Sequence, residues 1–462
     1  VCGTLVCAAM LSARAQNLPA NAPRSLAPRE FLKLFDVNET KLAELTDGQP
    51  LDDAQRTLVL DLLYHLRRYP LAAVDQFSQN AEAAATIAAD PAAARGQMFL
   101  LAGRVTRVER IPLDDAARER LLLPAYYRCT FVTDQGLRAE IDAVEAPAAW
   151  KLNEPIDERA SARAMFLKTL PAEAGQPATL LFAAGRIAWH PDTPLGKLGM
   201  DYGLLDEVHD KTGLEERETF YQMLAAVRRA DADALRRTAR EQRESKRADW
   251  QRIADDKNAD AAKRAAAQRS LERAAEGVSD IVPLFNDPAS QRGNLVTVQG
   301  EALRAIEIRV EDADVVERFG IRRYYEVEML TDDSQNNPLV CCVAELPAGM
   351  PLGNNIHVGV RVTGFLLKSW AYRPGEADST RRQLAPLLVA RTLSLVAQPS
   401  FSGTGTMLGA GLLLALAAAV IVMFIIRRAD RRALAAARRA RVDLPDRLSL
   451  DEFDADERGE LD

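Results

Sequence analysis

The chain repeats itself. Arg95-Gly96 is answered by Arg292-Gly293 and Gly103 by Gly300, each pair 197 positions apart. Further on, Tyr126-Tyr127 and Thr133-Asp134 are answered by Tyr324-Tyr325 and Thr331-Asp332 at a spacing of 198. The run AMFLK ending at Lys168 pairs with GFLLK ending at Lys368, and LLFA at 180–183 with LLVA at 387–390. Order is kept while the spacing drifts, as two homologous units with loop insertions require. Whatever fold one unit has, the other shares it.

Both units are patterned for strands. In the first they fall at about 97–110, 126–132, 137–144, 162–169 and 179–190; in the second at about 294–309, 323–330, 338–344, 356–369 and 385–396. Leu295, Thr297 and Gln299 alternate with Val296 and Val298, the period of a strand whose side chains point to opposite faces. Gly103 and Gly300 lie inside the long first strands, where an isolated glycine marks a bulge or sharp bend. Five strands, a bent first strand and the turn-rich ELPAGMPLGNN before the fourth resemble the OB fold, a small Greek-key barrel. The fold class expected is therefore α+β: two OB-like five-stranded β-barrels with a helical insertion between them, an N-terminal helical cap and one C-terminal transmembrane helix. In layout the chain resembles uncharacterised bacterial single-pass envelope membrane proteins, a resemblance that implies no activity.

The segments outside the barrels read as helices. Leu58, Val59, Leu62, Leu63 and Leu66 form an apolar face that Pro70 ends, and Phe220, Met223, Leu224 and Val227 make a second stripe. Residues 214–277 contain no proline and are rich in Ala, Arg and Glu, so they are expected to be largely helical. The expected order is a signal peptide at 1–15, a helical region at 16–92 and a first barrel at 93–195. A helical linker at 196–285 and a second barrel at 286–398 follow. The signal rests on a short apolar stretch ending in Ala13-Arg14-Ala15, the small-x-small pattern of a cleavage site. The transmembrane helix, 405–426, rests on the uncharged run Met407–Ile426, long enough to span a hydrocarbon core. Arg427, Arg428, Arg431 and Arg432 follow it, so the positive-inside rule puts the tail, 427–462, in the cytoplasm and the barrels on the periplasmic or extracytoplasmic side.

Chemistry is sparse. A net charge of −7 opposes general affinity for nucleic acid. No HExxH, GxSxG elbow, P-loop or CxxC pair occurs, and His65, His190, His209 and His357 stand far apart. No metal or cofactor is expected. Beyond the presumptive signal only Cys129, Cys341 and Cys342 remain; they read as buried thiols, with a bridge from Cys129 to either of the others as the alternative. Aromatic residues stand out instead: Tyr126, Tyr127, Tyr324, Tyr325, Trp370 and Tyr372 are the candidate binding contacts, because OB barrels bind polymers across strands two and three, where aromatics stack. Asp332-Asp333-Ser334 reads as a turn before it reads as a calcium fragment. The leading expectation is a non-catalytic binding or scaffold protein of the cell envelope, anchored in the membrane and contacting other envelope proteins. The alternatives are a glycan or polymer binder and a carboxylate-based envelope hydrolase.

Overall fold

The computed structural model describes residues 26–80, 87, 89–172, 178–372, 382–396 and 404–440. The signal-peptide reading, and the tail beyond 440, lie outside them. By its contacts the chain forms two units, 1–396 and 397–462.

The first unit begins with four helices: α1 (Pro28–Lys33), α2 (Glu39–Ala43), α3 (Asp53–Leu66) and α4 (Leu71–Phe77). Asn38 and Asp52 cap α2 and α3 by accepting from backbone N–H groups three residues on, satisfying donors that a helix start leaves free. The first barrel follows with β1 (Met98–Pro112), α5 (Asp115–Leu121), β2 (Ala125–Thr133), β3 (Arg138–Glu145), β4 (Pro155–Thr169), β5 (Leu180–Arg186) and β6 (Ala188–Trp189). Next come α6 (Arg217–Arg229), α7 (Ala232–Asp255) and α8 (Ala261–Ala275). The second barrel comprises β7 (Leu295–Arg309), α9 (Ala313–Phe319), β8 (Arg323–Leu330), β9 (Leu339–Val343), β10 (Val358–Tyr372) and β11 (Gln383–Leu395).

The second barrel is closed, in the order β7-β8-β9-β11-β10 and back to β7. The first sheet repeats that cycle. It runs β1-β2-β3-β5-β4, β1 also pairs with β4, and β6 is added at the edge of β4. In each repeat the third and fifth strands pair in parallel and the other ladders are antiparallel. The strands observed differ from the expected ones chiefly at β4, which starts at Pro155 instead of 162. In its first residues, PIDERA, exposed positions alternate with half-buried or buried ones and three of the six are charged, so no continuous apolar signal marks them.

Each repeat has two apolar layers. Phe99, Val105, Phe131, Ile141, Phe166 and Phe182 fill the first barrel, and Val298, Val327, Cys341, Val362, Leu366 and Leu388 the second. The outer faces are buried as well. Leu58, Leu62 and Leu66 of α3 pack on Met165, Leu167, Leu181 and Ala183, while Phe220, Met223, Leu224 and Val227 of α6 pack on Phe365, Leu367, Leu387 and Val389. Both apolar stripes read from the sequence therefore serve as lids on their barrels. The linker is not one helix. Asp231 and Asp260 cap new starts at α7 and α8, which form a hairpin whose base, Leu235 and Ala239, is buried while Ile253 is 38% exposed.

In the second unit, α10 (Thr404–Ala440) is a 37-residue helix. Its side chains are described over 414–435, and Val420, Ile421, Phe424 and Ile425 are exposed. Among the described residues no helix is long and apolar enough to cross a membrane. The side chains of Met407–Leu413, which the sequence reading counts toward a span, fall outside those described.

Candidate functional site

Each barrel carries the same polar lock. Arg95 bonds the Leu167 carbonyl (2.8 Å) and Asp47 (2.5 Å), whose other oxygen accepts from the Thr169 backbone N–H (2.8 Å). Arg292 bonds the Leu367 carbonyl (3.3 Å) and Asp210 (2.7 Å), and Asp210 accepts from the Ser369 N–H (2.7 Å). Between these partners sit Lys168 and Lys368, both fully buried, each at a register shift in its strand. Such a bulge re-aims a side chain; here each lysine turns under the lid helix. Lys168 donates to Gln55 (2.9 Å), whereas Lys368 meets Glu216 (2.7 Å), Thr212 (2.7 Å) and the Gly213 carbonyl (2.8 Å). The repeat thus extends upstream of the strands, into segments where no residue match signals it.

The aromatic candidates are dispersed and packed. Tyr324 is 8% exposed and meets Phe220 of α6 edge-to-face at 5.3 Å, and burial drives its phenol well above the usual range. Tyr372 is 3% exposed; burial and the Glu328 carboxylate raise its phenol too. Both are core residues: Tyr324 packs against the lid helix through Phe220, and Tyr372 belongs to the same buried cluster. Trp370 is half-buried with its ring 5.3 Å from that of Tyr372, the one candidate pair brought together. Tyr126 packs under the α3 lid with Arg128 hydrogen-bonded to its hydroxyl (3.2 Å), and Tyr127 and Tyr325 pack against the barrel interiors.

Charge on the second and third strands is already matched. Arg128 holds the fully buried Asp142 through two bonds (2.9 and 3.1 Å) and faces Glu140 at 3.0 Å. In the second barrel Arg304 pairs with Glu326 (2.8 Å) and Glu328 (3.3 Å). Cys129, Cys341 and Cys342 are free and buried, and desolvation pushes the first two thiols up to about 12. The Thr331–Ser334 turn closes on itself through the Ser334 hydroxyl and the Thr331 carbonyl (2.9 Å), with Asp333 held by Arg273 (2.8 Å).

One concavity is a cleft of about 500 Å³ between the first barrel, α4, α6 and α9. Its size lies in the range of small-molecule sites, and elements of both repeats line it. Leu66, Leu71, Val74, Met98 and Leu100 make an apolar wall. The carboxylates of the cleft are neutralised by arginine. Arg318 binds Glu218 through two bonds of 2.7 Å and Asp75 at 2.8 Å, and Asp75 also meets Arg163 at 2.8 Å. Burial raises the Glu218 carboxyl, but Arg318 outweighs it and leaves the group below its usual range. Asp201 lies 2.9 Å from Arg186, with Glu145 on the same arginine at 3.7 Å. Burial raises both Asp201 and Glu145, yet each faces a cation, an arrangement that gives the carboxylate-hydrolase alternative little support.

One further pair stands at the rim. Ser161 of β4 and His190, just past β6, lie 2.8 Å apart (Oγ to Nε2), and His190 Nδ1 is 3.0 Å from the Met200 carbonyl. No sequence spacing indicated this pair, since 29 residues and a strand crossover separate them. Comparison with protein-family models and with curated proteins gives no match.

Proposed function

We propose that this chain is a membrane-anchored envelope protein whose tandem OB-like barrels act as a binding and scaffold module for other envelope proteins. The observation that carries this reading is the internal closure of both barrels. Lid helices cover the outer face of the fourth and fifth strands. Arginine–carboxylate pairs take up the charge on the strands across which OB barrels bind polymers. The solvated hairpin α7–α8 remains exposed, and its interleaved Arg, Asp and Glu suit a protein partner better than a polyanion. The anchor is α10: its apolar stretch is followed at once by Arg427, Arg428, Arg431 and Arg432, which favours a cytoplasmic tail.

Two measurements test this. The full chain is expected to stay with alkali-washed membranes, and its release into the supernatant would remove the anchor. A photo-crosslinker placed at the exposed Arg240 or Ser245 of the hairpin, or at Arg322 of the second barrel, should trap a discrete protein partner in intact cells. Adducts with lipid alone from all three positions overturn the scaffold reading.

A further inference from the structure

We propose that Ser161 is a nucleophile activated by His190, and that the cleft it borders accepts carboxylic esters with an apolar acyl chain. This activity goes beyond the scaffold reading and does not depend on it.

The geometry is that of a serine–histidine pair with an orienting third group. The Met200 oxygen can only accept, so the 3.0 Å contact places the histidine proton on Nδ1. That leaves the Nε2 lone pair facing the Ser161 hydroxyl at 2.8 Å, the relation a general base needs. A backbone carbonyl here takes the part that a carboxylate plays in a triad, fixing tautomer and ring orientation. Both partners are held by secondary structure. Ser161 is paired on both sides, with Ala102 of β1 and Ala188 of β6, and the His190 N–H is bonded to the Arg159 carbonyl at 2.8 Å. Burial lowers the His190 pKa, which keeps the imidazole in the neutral form that can take a proton.

The surroundings define the substrate class. Ser161, His190, Ala102 and Gly199 border two adjoining concavities, the 500 Å³ cleft and an open one of about 760 Å³. An acyl chain would lie along the apolar wall of the first, and the alcohol portion would exit through the second, past Arg104, Asp157 and Arg159. The first also holds Arg186. Its guanidinium is held by Asp201 (2.9 Å), Glu207 (2.9 Å) and Glu145 (3.7 Å), so it fixes the charge balance of the cleft floor. In the reaction a bond forms between Ser161 Oγ and the ester carbonyl carbon as the hydroxyl proton passes to His190 Nε2. The carbon–alkoxide bond then breaks and the alkoxide takes that proton. Water then attacks the acyl-serine carbonyl carbon, giving its proton to His190 Nε2; the carbon–Oγ bond breaks, Ser161 Oγ takes that proton back, and the free acid leaves, so the sum is ester plus water to acid plus alcohol.

The test uses the full chain in detergent with a fluorophosphonate bearing a long alkyl group, the adduct located by mass spectrometry. Wild type should be labelled on Ser161, Ser161→Ala should not be, and His190→Gln should react at least about a hundredfold more slowly, the scale of general-base assistance. Labelling should also fall as pH drops through the depressed pKa of His190, because the protonated imidazole cannot accept. An unlabelled Ser161 in wild type, beside a serine esterase labelled in the same tube, overturns the proposal whatever the variants do. Equal rates in wild type and a folded His190→Gln overturn it as well, and assign the pair to holding β4 against the 196–201 loop.

Discussion

Lys168 and Lys368 occupy the same position in the two repeats, yet their neighbours differ in charge. Lys168 donates to the neutral Gln55, and burial pulls its pKa down; Lys368 faces the carboxylate of Glu216. Asp47 and Asp52 offset the burial of Lys168 only in part, so the unfolded state binds its proton more tightly, and stability rises with pH between the depressed folded pKa and 10.5. Lys168→Met should consequently leave stability within about 1 kcal/mol of wild type or raise it, and flatten the alkaline limb of a pH–stability curve. Lys368→Met strands Glu216 and should cost about 3–5 kcal/mol in urea unfolding at neutral pH. Equal losses at the two sites would refute this account of the lock. The lysines were visible in the sequence as repeat landmarks at strand ends. Their partners were not, because Asp47, Gln55, Asp210 and Glu216 sit in polar, irregular stretches where no period or motif picks one carboxylate from many.

At the scale of elements, the bulged first strands carry the barrel closure. A Cβ on Gly103 would run into the Val132 carbonyl, and one on Gly300 into the Leu330 carbonyl, so both first strands need glycine where they cross their neighbours. Gly103→Ala and Gly300→Ala should each lower stability by about 1–3 kcal/mol or more through backbone displacement. Gly185→Ala, where the nearest atom to a new Cβ is 3.9 Å away, should stay within about 0.5 kcal/mol; urea midpoints distinguish the three. Strand positions were legible because alternation and breaking glycines are local signals. The polar start of β4 was not, since its inward positions are Ile156, Glu158 and Ala160 and a charged residue in that row hides the alternation. The linker's division into α6, α7 and α8 rests on Asp231 and Asp260, helix-starting residues that a composition rich in Ala and Arg obscures.

In the molecule as a whole, Arg318 is the staple between repeats. It leaves α9 of the second barrel to bind Asp75 on α4 and Glu218 on α6, and is 6% exposed. Its partners are only partly buried, so the loss in Arg318→Met should fall between that of an exposed and a buried pair, about 2 kcal/mol. Arg318→Lys should not restore it, because an ammonium cannot make the two-bond contact with Glu218. Faster proteolysis between the repeats in both variants would report the loosening; wild-type resistance in both would refute the staple. By itself the sequence determined the duplication, the five strands of each unit, both apolar helix stripes and the uncharged stretch before the arginines, because each is written in residues close together along the chain. Tertiary structure alone decided that the stripes are lids, that Tyr324 and Tyr372 are core, and that Ser161 meets His190. Those outcomes depend on which surfaces touch once the barrels close, and contact between distant segments leaves no period in a single sequence.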